Sequence, residues 1–230
     1  MSTLSPFLWV ALDGLNKKEQ ETLTLAQALA EVKGDFGFKI NLDYLLLRNI
    51  ERAVATISAF GRPVFADLKM WNGSRTMIDA VDRLVAQNVR YVNVYALADT
   101  MLPKTIERVK GTKTEVLGLT VLTHHNDAYC QKFFRRSLPE TVRLLSETAL
   151  EVGCHGVILP GTTMSVISDL SCKKMNPGIR PAWFKDDRHE EETLPADAVK
   201  AGATDVVCGS PITKSEDPKA AIARLLVEMQ

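Results

Sequence analysis

The chain has 230 residues, 46% of them hydrophobic and 24% charged, with twenty-eight basic residues balancing twenty-eight acidic ones. That composition is ordinary for a globular protein, and the even charge leaves no electrostatic footprint for nucleic acid or an anionic membrane. No apolar run approaches the roughly 20 residues of a membrane span, so positive charge for an anionic small molecule has to be local.

The opening MSTLSPFLWVALDG has no basic leader region and turns acidic at Asp13, which makes it a poor secretory signal. Cys130, Cys154, Cys172 and Cys208 form no C-x-x-C pair, and Cys154-His155 lacks the further ligands of a zinc site. Reduced, structural thiols of a cytoplasmic protein are expected, with no metal.

Short apolar runs alternate with helical patterns along the chain. Residues 6–13 (PFLWVALD) read as a buried strand, 17–32 as a helix, 36–40 as a second strand and 43–59 as a helix. Strand 63–69 (PVFADLK), a helix near 74–87, strand 91–96 (YVNVYA), a helix near 98–109 and strand 115–122 (EVLGLTVL) follow. The second half reads as helix 138–152, strand 156–160, short helix 163–170, strand end 175–180, a polar loop 185–192, short helix 194–201, strand 204–209 and a final helix 218–229. Strand–helix alternation implies parallel pairing, because a parallel crossover needs a connection of helical length. Eight such units, without a Pro/Gly/Ser linker, predict a single-domain (β/α)8 TIM barrel over 1–230; such a barrel fills roughly 200–250 residues.

Parallel strands buried on both faces are expected to be almost wholly apolar. Here Asp13, Lys39, Asp67 and Lys69 stand at or near the C-terminal ends of the first three strands, the rim where this architecture builds its active sites. Asp67 and Lys69 are two apart, so a regular strand points both to one side. Four charges of alternating sign predict an Asp-Lys-Asp-Lys array, tolerable because each charge is paired. Such an array sets a carboxylate against an anionic substrate and a lysine ready to deliver a proton. A purely structural ion-pair network is the competing reading.

VALD (10–13), DFGFKINLD (35–43), FADLKMWN (65–72), GLTVLT (118–123), NPGIRP (176–181) and AGATDVVCGSPIT (201–213) resemble, in order and over nearly the whole chain, segments of the orotidine 5′-monophosphate decarboxylase family. The resemblance implies that Asp13 and Lys39 hold ribose hydroxyls and that Lys39 also joins the charged array. It implies that Asp67 lies against the C6 carboxylate of orotate, Lys69 protonates C6, and Thr123 bonds the pyrimidine. Gly209 and Arg180 would lie at the phosphate end. It further implies cofactor-free conversion of orotidine 5′-monophosphate to uridine 5′-monophosphate in pyrimidine biosynthesis, by a homodimer whose active sites lie near its interface.

The sequence departs from that pattern in three places. Asn72 stands where the family's Asp-x-Lys-x-x-Asp has its second aspartate, which reaches the neighbouring subunit; the array gains one unit of positive charge. Ser210 stands in place of the arginine of Gly-Arg-Pro-Ile, which grips phosphate with parallel hydrogen bonds. Arg188, in the polar loop where the family has a phosphate-contacting glutamine, either takes over that grip or is simply a solvated loop residue, and the loop is the candidate to close over the site. Tyr95 replaces a family histidine, and His124-His125 follows Thr123 near the base end. Trp9 and Trp183 are read as packing, Trp71 as a residue of the subunit interface, and Arg135-Arg136 as a solvated helix start. Two other functions remain open at this point: a related barrel lyase acting on another phosphorylated sugar or nucleotide, and a nucleotide-binding homologue that has lost catalysis.

Overall fold

The computed structural model describes residues 6–184 and 193–230. Eight parallel strands close into a barrel in the order β1-β2-β3-β4-β5-β6-β7-β8, with β8 paired back to β1. They are β1 (Phe7–Ala11), β2 (Phe36–Asn41), β3 (Val64–Met70), β4 (Tyr91–Tyr95), β5 (Glu115–Leu119), β6 (Gly156–Ile158), β7 (Lys173–Asn176) and β8 (Asp205–Cys208). The eight predicted strands are all present, and the predicted barrel is the fold.

Strand alternation divides the core in two. Leu8, Val10, Phe36, Phe38, Ile40, Val64, Ala66, Val92 and Val94 face outward and are buried beneath the helices. Trp9, Phe65, Tyr91, Leu117, Ile158, Met175 and Val207 face inward and fill the barrel. Trp9 is fully buried and donates its indole N–H to Asp205 at 3.0 Å, so it packs the barrel floor as expected. It lies across Gly37, where a Cβ would come within 2.7 Å of the indole; only glycine leaves room for it.

The ten α-helices of the described residues are α1 (Glu19–Ala30), α2 (Leu42–Arg48), α3 (Ile50–Ser58), α4 (Ser74–Ala86), α5 (Pro103–Glu107), α6 (Asp127–Phe134), α7 (Leu138–Glu151), α8 (Pro195–Lys200), α9 (Ser210–Thr213) and α10 (Pro218–Glu228). Several differ from the sequence-based expectation for identifiable reasons. The single helix expected over 43–59 breaks at Asn49, whose φ of 59° is non-helical and whose side chain caps α3 by accepting the Arg52 N–H at 2.9 Å. Asp99, at φ 36°, interrupts the pattern near 98–109, leaving a 3-10 segment followed by the short α5. A 3-10 turn over Gly161–Ile167 replaces the helix expected at 163–170. Helix α6 was not anticipated; Asn126 caps it, and Arg135 closes it in the left-handed region at φ 57°. The helix start assigned to Arg135-Arg136 instead belongs to Ser137, which forms a reciprocal capping box with Glu140.

Two strands stop three or more residues earlier than expected. β7 ends at Asn176, because Pro177 has no N–H to give the ladder and Gly178 turns the chain at φ 79°. β5 ends at Leu119, after which Thr120 turns both its N–H and its hydroxyl to the Ile158 carbonyl, at 3.0 and 2.9 Å. Among the described residues no helix is long and apolar enough to cross a membrane, and all four cysteines are free thiols.

Candidate active site

The mouth of the barrel holds a cavity of about 300 Å³. Asp13, Lys39, Asp67, Lys69, Thr123, Arg180, Gly209 and Ser210 all line it. Eight of the residues singled out from sequence, drawn from six different parts of the chain, therefore share one space.

Asp67 is the hub. Its Oδ2 lies 2.8 Å from Lys39 Nζ and 2.7 Å from Lys69 Nζ. Its Oδ1 accepts a hydrogen bond of 2.7 Å from the Asn93 side-chain amide. Burial alone would favour the neutral carboxyl, but the two lysines outweigh it and hold Asp67 well below the usual carboxylate range. Two of these residues are placed by simple alternation: Lys39 follows Gly37 on the inner face of β2, and Asp67 follows Phe65 on the inner face of β3.

Lys39 also donates to the side-chain oxygen of Asn41, which in turn donates from Nδ2 to Asp13 Oδ1 at 3.1 Å. The predicted array is therefore present, with Asn41 linking Asp13 to the other three charges. Asp13 lies two residues beyond the end of β1, beside Gly209, where a Cβ would come within 3.4 Å of its Oδ2.

Lys69 does not reach Asp67 by regular strand geometry. The β3–β4 register runs Ala66↔Val92 and resumes at Met70↔Val94, and Lys69 within this bulge has φ 51°. Its backbone N–H is received by Asn93 Oδ1 at 2.7 Å. Asn93 and Asn41 had no assigned role in the sequence reading. The available signal was a polar residue in the middle of an apolar strand (YVNVY), a pattern as costly in a buried parallel sheet as the charges themselves.

Thr123 and Arg180 are buried at the rim, and Ser210 is buried at the start of α9. Arg180 donates to the Ile179 carbonyl at 3.0 Å. His124 also lines the cavity, while His125 stacks flat on Tyr129 with ring centroids 3.7 Å apart. Asn72 is not brought into this cavity. It is exposed, accepts the Gly73 N–H at 2.8 Å, and lines a neighbouring apolar hollow with Leu46, Ile50 and Trp71. Tyr95 packs near Trp71, with ring centroids 6.3 Å apart. Trp183 bonds Glu228 at 2.9 Å, consistent with a packing role. Arg188 and the 185–192 loop lie outside the described residues. Among the described residues no cluster of histidine, cysteine or carboxylate side chains could hold a metal ion.

A carboxylate held ionised between two ammonium groups, inside a cavity that an arginine also lines, suits an anionic substrate that develops further negative charge during reaction. The Orotidine 5′-phosphate decarboxylase / HUMPS family profile matches residues 6–225. The chain is 34% identical over 176 residues to an orotidine 5′-phosphate decarboxylase of Methylacidiphilum infernorum, covering 74% of this chain and 76% of the relative. It is 30% identical over 234 residues to that of Dictyoglomus turgidum, covering 96% and 94%. Among solved structures, orotidine 5′-phosphate decarboxylase from Lactobacillus acidophilus superposes with a TM-score of 0.79 at 24% identity, covering 99% of this chain and 100% of that one. The Methanocaldococcus jannaschii decarboxylase, complexed with the inhibitor BMP, gives 0.77 at 15% identity, covering 99% and 100%; at these identities the likeness is one of fold. The chain belongs to the orotidine 5′-phosphate decarboxylase / HUMPS family and is an enzyme of the carboxy-lyase kind.

Proposed function

We propose that the protein decarboxylates orotidine 5′-monophosphate to uridine 5′-monophosphate in pyrimidine biosynthesis. The observation that carries this reading is the meeting of Lys39 and Lys69 on one oxygen of Asp67. In the proposed reaction the orotate C6 carboxylate lies against Asp67. The C6–CO2 bond breaks, its electron pair stays on C6, and the Lys69 ammonium gives its proton to that carbon. A neighbouring cation stabilises the developing carbanion: carbon dioxide leaves neutral, the carboxylate's negative charge passes to C6, and the attraction of that carbon to Lys69 grows. Lys69 suits the donor role better than Lys39 because 38% of its side chain is exposed against 10%, so water can recharge it. Asp13 and Lys39 hold the ribose hydroxyls, Thr123 the pyrimidine, and Arg180, Gly209 and Ser210 the phosphate end. The chain's own side chains suffice for this reaction without a cofactor.

A homodimer joined at the barrel mouths completes the proposal. Its support is the apolar hollow of about 590 Å³ beside the cavity, which Lys69 also borders. Leu46 and Trp71 on its rim are 74% and 61% exposed, more apolar surface than an isolated site edge requires. Asn72 lies on this hollow and would face the partner's cavity as a neutral group.

Purified protein with orotidine 5′-monophosphate, followed by the ultraviolet change as orotate becomes uracil, tests the reading. Turnover that is abolished by Lys69→Ala is the expected result. Tight binding of uridine 5′-monophosphate without turnover would instead favour a binding homologue. Decarboxylation by Lys69→Ala at the wild-type rate would overturn the assignment of the proton donor.

A further inference from the structure

Asn93 is 1% exposed, in the middle of β4, with Val92 and Val94 packed outward on either side. An amide at that depth is costly unless both of its ends are satisfied. Here both ends are spent on the two residues at the centre of the proposed chemistry. Nδ2 donates to Asp67 Oδ1 and Oδ1 accepts the Lys69 N–H, each at 2.7 Å.

The second bond coincides with a backbone anomaly. Between Ala66↔Val92 and Met70↔Val94, β3 carries two more residues than β4, and Asn93 is the β4 residue opposite that bulge. Lys69 lies in the bulge with φ 51°, a conformation that is strained for a side-chain-bearing residue and persists only where its surroundings impose it. A regular parallel ladder would give the Lys69 amide a backbone acceptor; the Asn93 side chain supplies one instead.

We propose that Asn93 is the positioning residue of the proton donor: one amide fixes the Asp67 carboxylate and clamps the Lys69 backbone in its left-handed turn, so that the ammonium and the carboxylate keep a single mutual geometry. Asn93 borders the floor of the cavity, but its proposed effect on the reaction runs through Lys69 and Asp67. The inference rests on the proposal above that Lys69 protonates C6.

The test is a comparison of Asn93→Ala, Asn93→Asp and Lys69→Ala. Asn93→Ala removes both bonds, and kcat for orotidine 5′-monophosphate falls about 10- to 100-fold while KM and the dissociation constant of uridine 5′-monophosphate stay within about two-fold. A crystal structure of this variant shows Lys69 relaxed to negative φ. Asn93→Asp keeps the shape and the acceptor, but can donate to Asp67 only when its own carboxyl is protonated. Its kcat, taken as a ratio to wild type, therefore rises as pH falls, a signature that a merely structural role does not produce. Should Asn93→Ala not fold, that ratio decides the matter.

An Asn93→Ala enzyme with wild-type kcat overturns the proposal, as does an unchanged left-handed Lys69 in its structure. So does an Asn93→Asp ratio near one at every pH. Lys69→Ala separates the two layers. If it keeps full turnover, the proton-donor reading fails whatever Asn93 does; if it is inactive while Asn93→Ala is not, only the positioning role falls.

Discussion

Lys39 and Asp67 stand 28 residues apart on adjacent strands and close a 2.8 Å ion pair at the barrel mouth, with about a tenth or less of each side chain exposed. In a site so dry each charge depends on the other, since an ion left alone there faces the full desolvation cost. Lys39→Ala leaves Asp67 only the partly solvated Lys69 and is therefore expected to destabilise the fold by up to about 3–5 kcal/mol. Lys69→Ala should cost much less, because that lysine is partly solvated and Asp67 keeps its buried partner Lys39. Urea unfolding of the two variants checks the order; equal losses would show that burial does not separate the two lysines.

The same pair sets a pH dependence. Burial opposes the Asp67 charge, and the lysines more than reverse it, so its folded-state pKa is depressed. The unfolded chain thus binds a proton at Asp67 that the native chain refuses. Stability from this group is complete above the ordinary aspartate range and is lost as pH falls through and below it. Between about pH 5 and about pH 3, the wild-type urea midpoint should drop more steeply than that of Asp67→Asn. Parallel slopes would contradict the sign.

Asn41 bridges Lys39 and Asp13, the pair assigned to the ribose. Asn41→Ala leaves both charges but frees their orientation. Affinity for uridine 5′-monophosphate should fall about 10-fold, the scale of one or two lost polar contacts. The preference for it over the 2′-deoxy nucleotide should shrink in parallel. Calorimetry with both ligands measures this; equal weakening of the two would place Asn41 outside sugar recognition.

Trp71 and Leu46 expose large apolar surfaces around the hollow next to the cavity. A glutamate at the centre of such a contact leaves a charge desolvated on association. Light scattering should find a dimer for the wild type and a monomer for Trp71→Glu, with turnover lost on dissociation. A wild-type monomer at working concentration would remove the paired-barrel proposal.

Cys154 is buried, and burial pushes its thiol up to about 12. Since only the thiolate attacks a disulfide reagent, Cys154 should stay silent at about pH 8 in the native protein and react after unfolding. The fast-reacting fraction should be the same in Cys154→Ser as in the wild type.

The order of strands and helices was legible in the sequence because period and length are local properties: short apolar runs separated by helical patterns leave few alternatives to a parallel barrel. The charges of Asp13, Lys39, Asp67 and Lys69 were legible for the opposite reason, as violations of an apolar rule at strand ends. Helix boundaries at Asn49 and Asp99 were not, because there a single residue's backbone angle overrides a continuous pattern. Nor were the roles of Asn41 and Asn93. An asparagine in a strand announces a polar cost, but its partners lie on neighbouring strands and are chosen by register. Alternation alone aims Asp67 and Lys69 the same way; the bulge in β3 and the left-handed turn at Lys69 set their actual meeting, and both depend on β4 lying alongside. By itself, then, the sequence determined the barrel and the set of charges at its mouth, because these follow from local pattern and residue type. Tertiary structure alone decided which oxygen the two lysines share and which amide holds the array, because those contacts join strands that the chain separates by a helix.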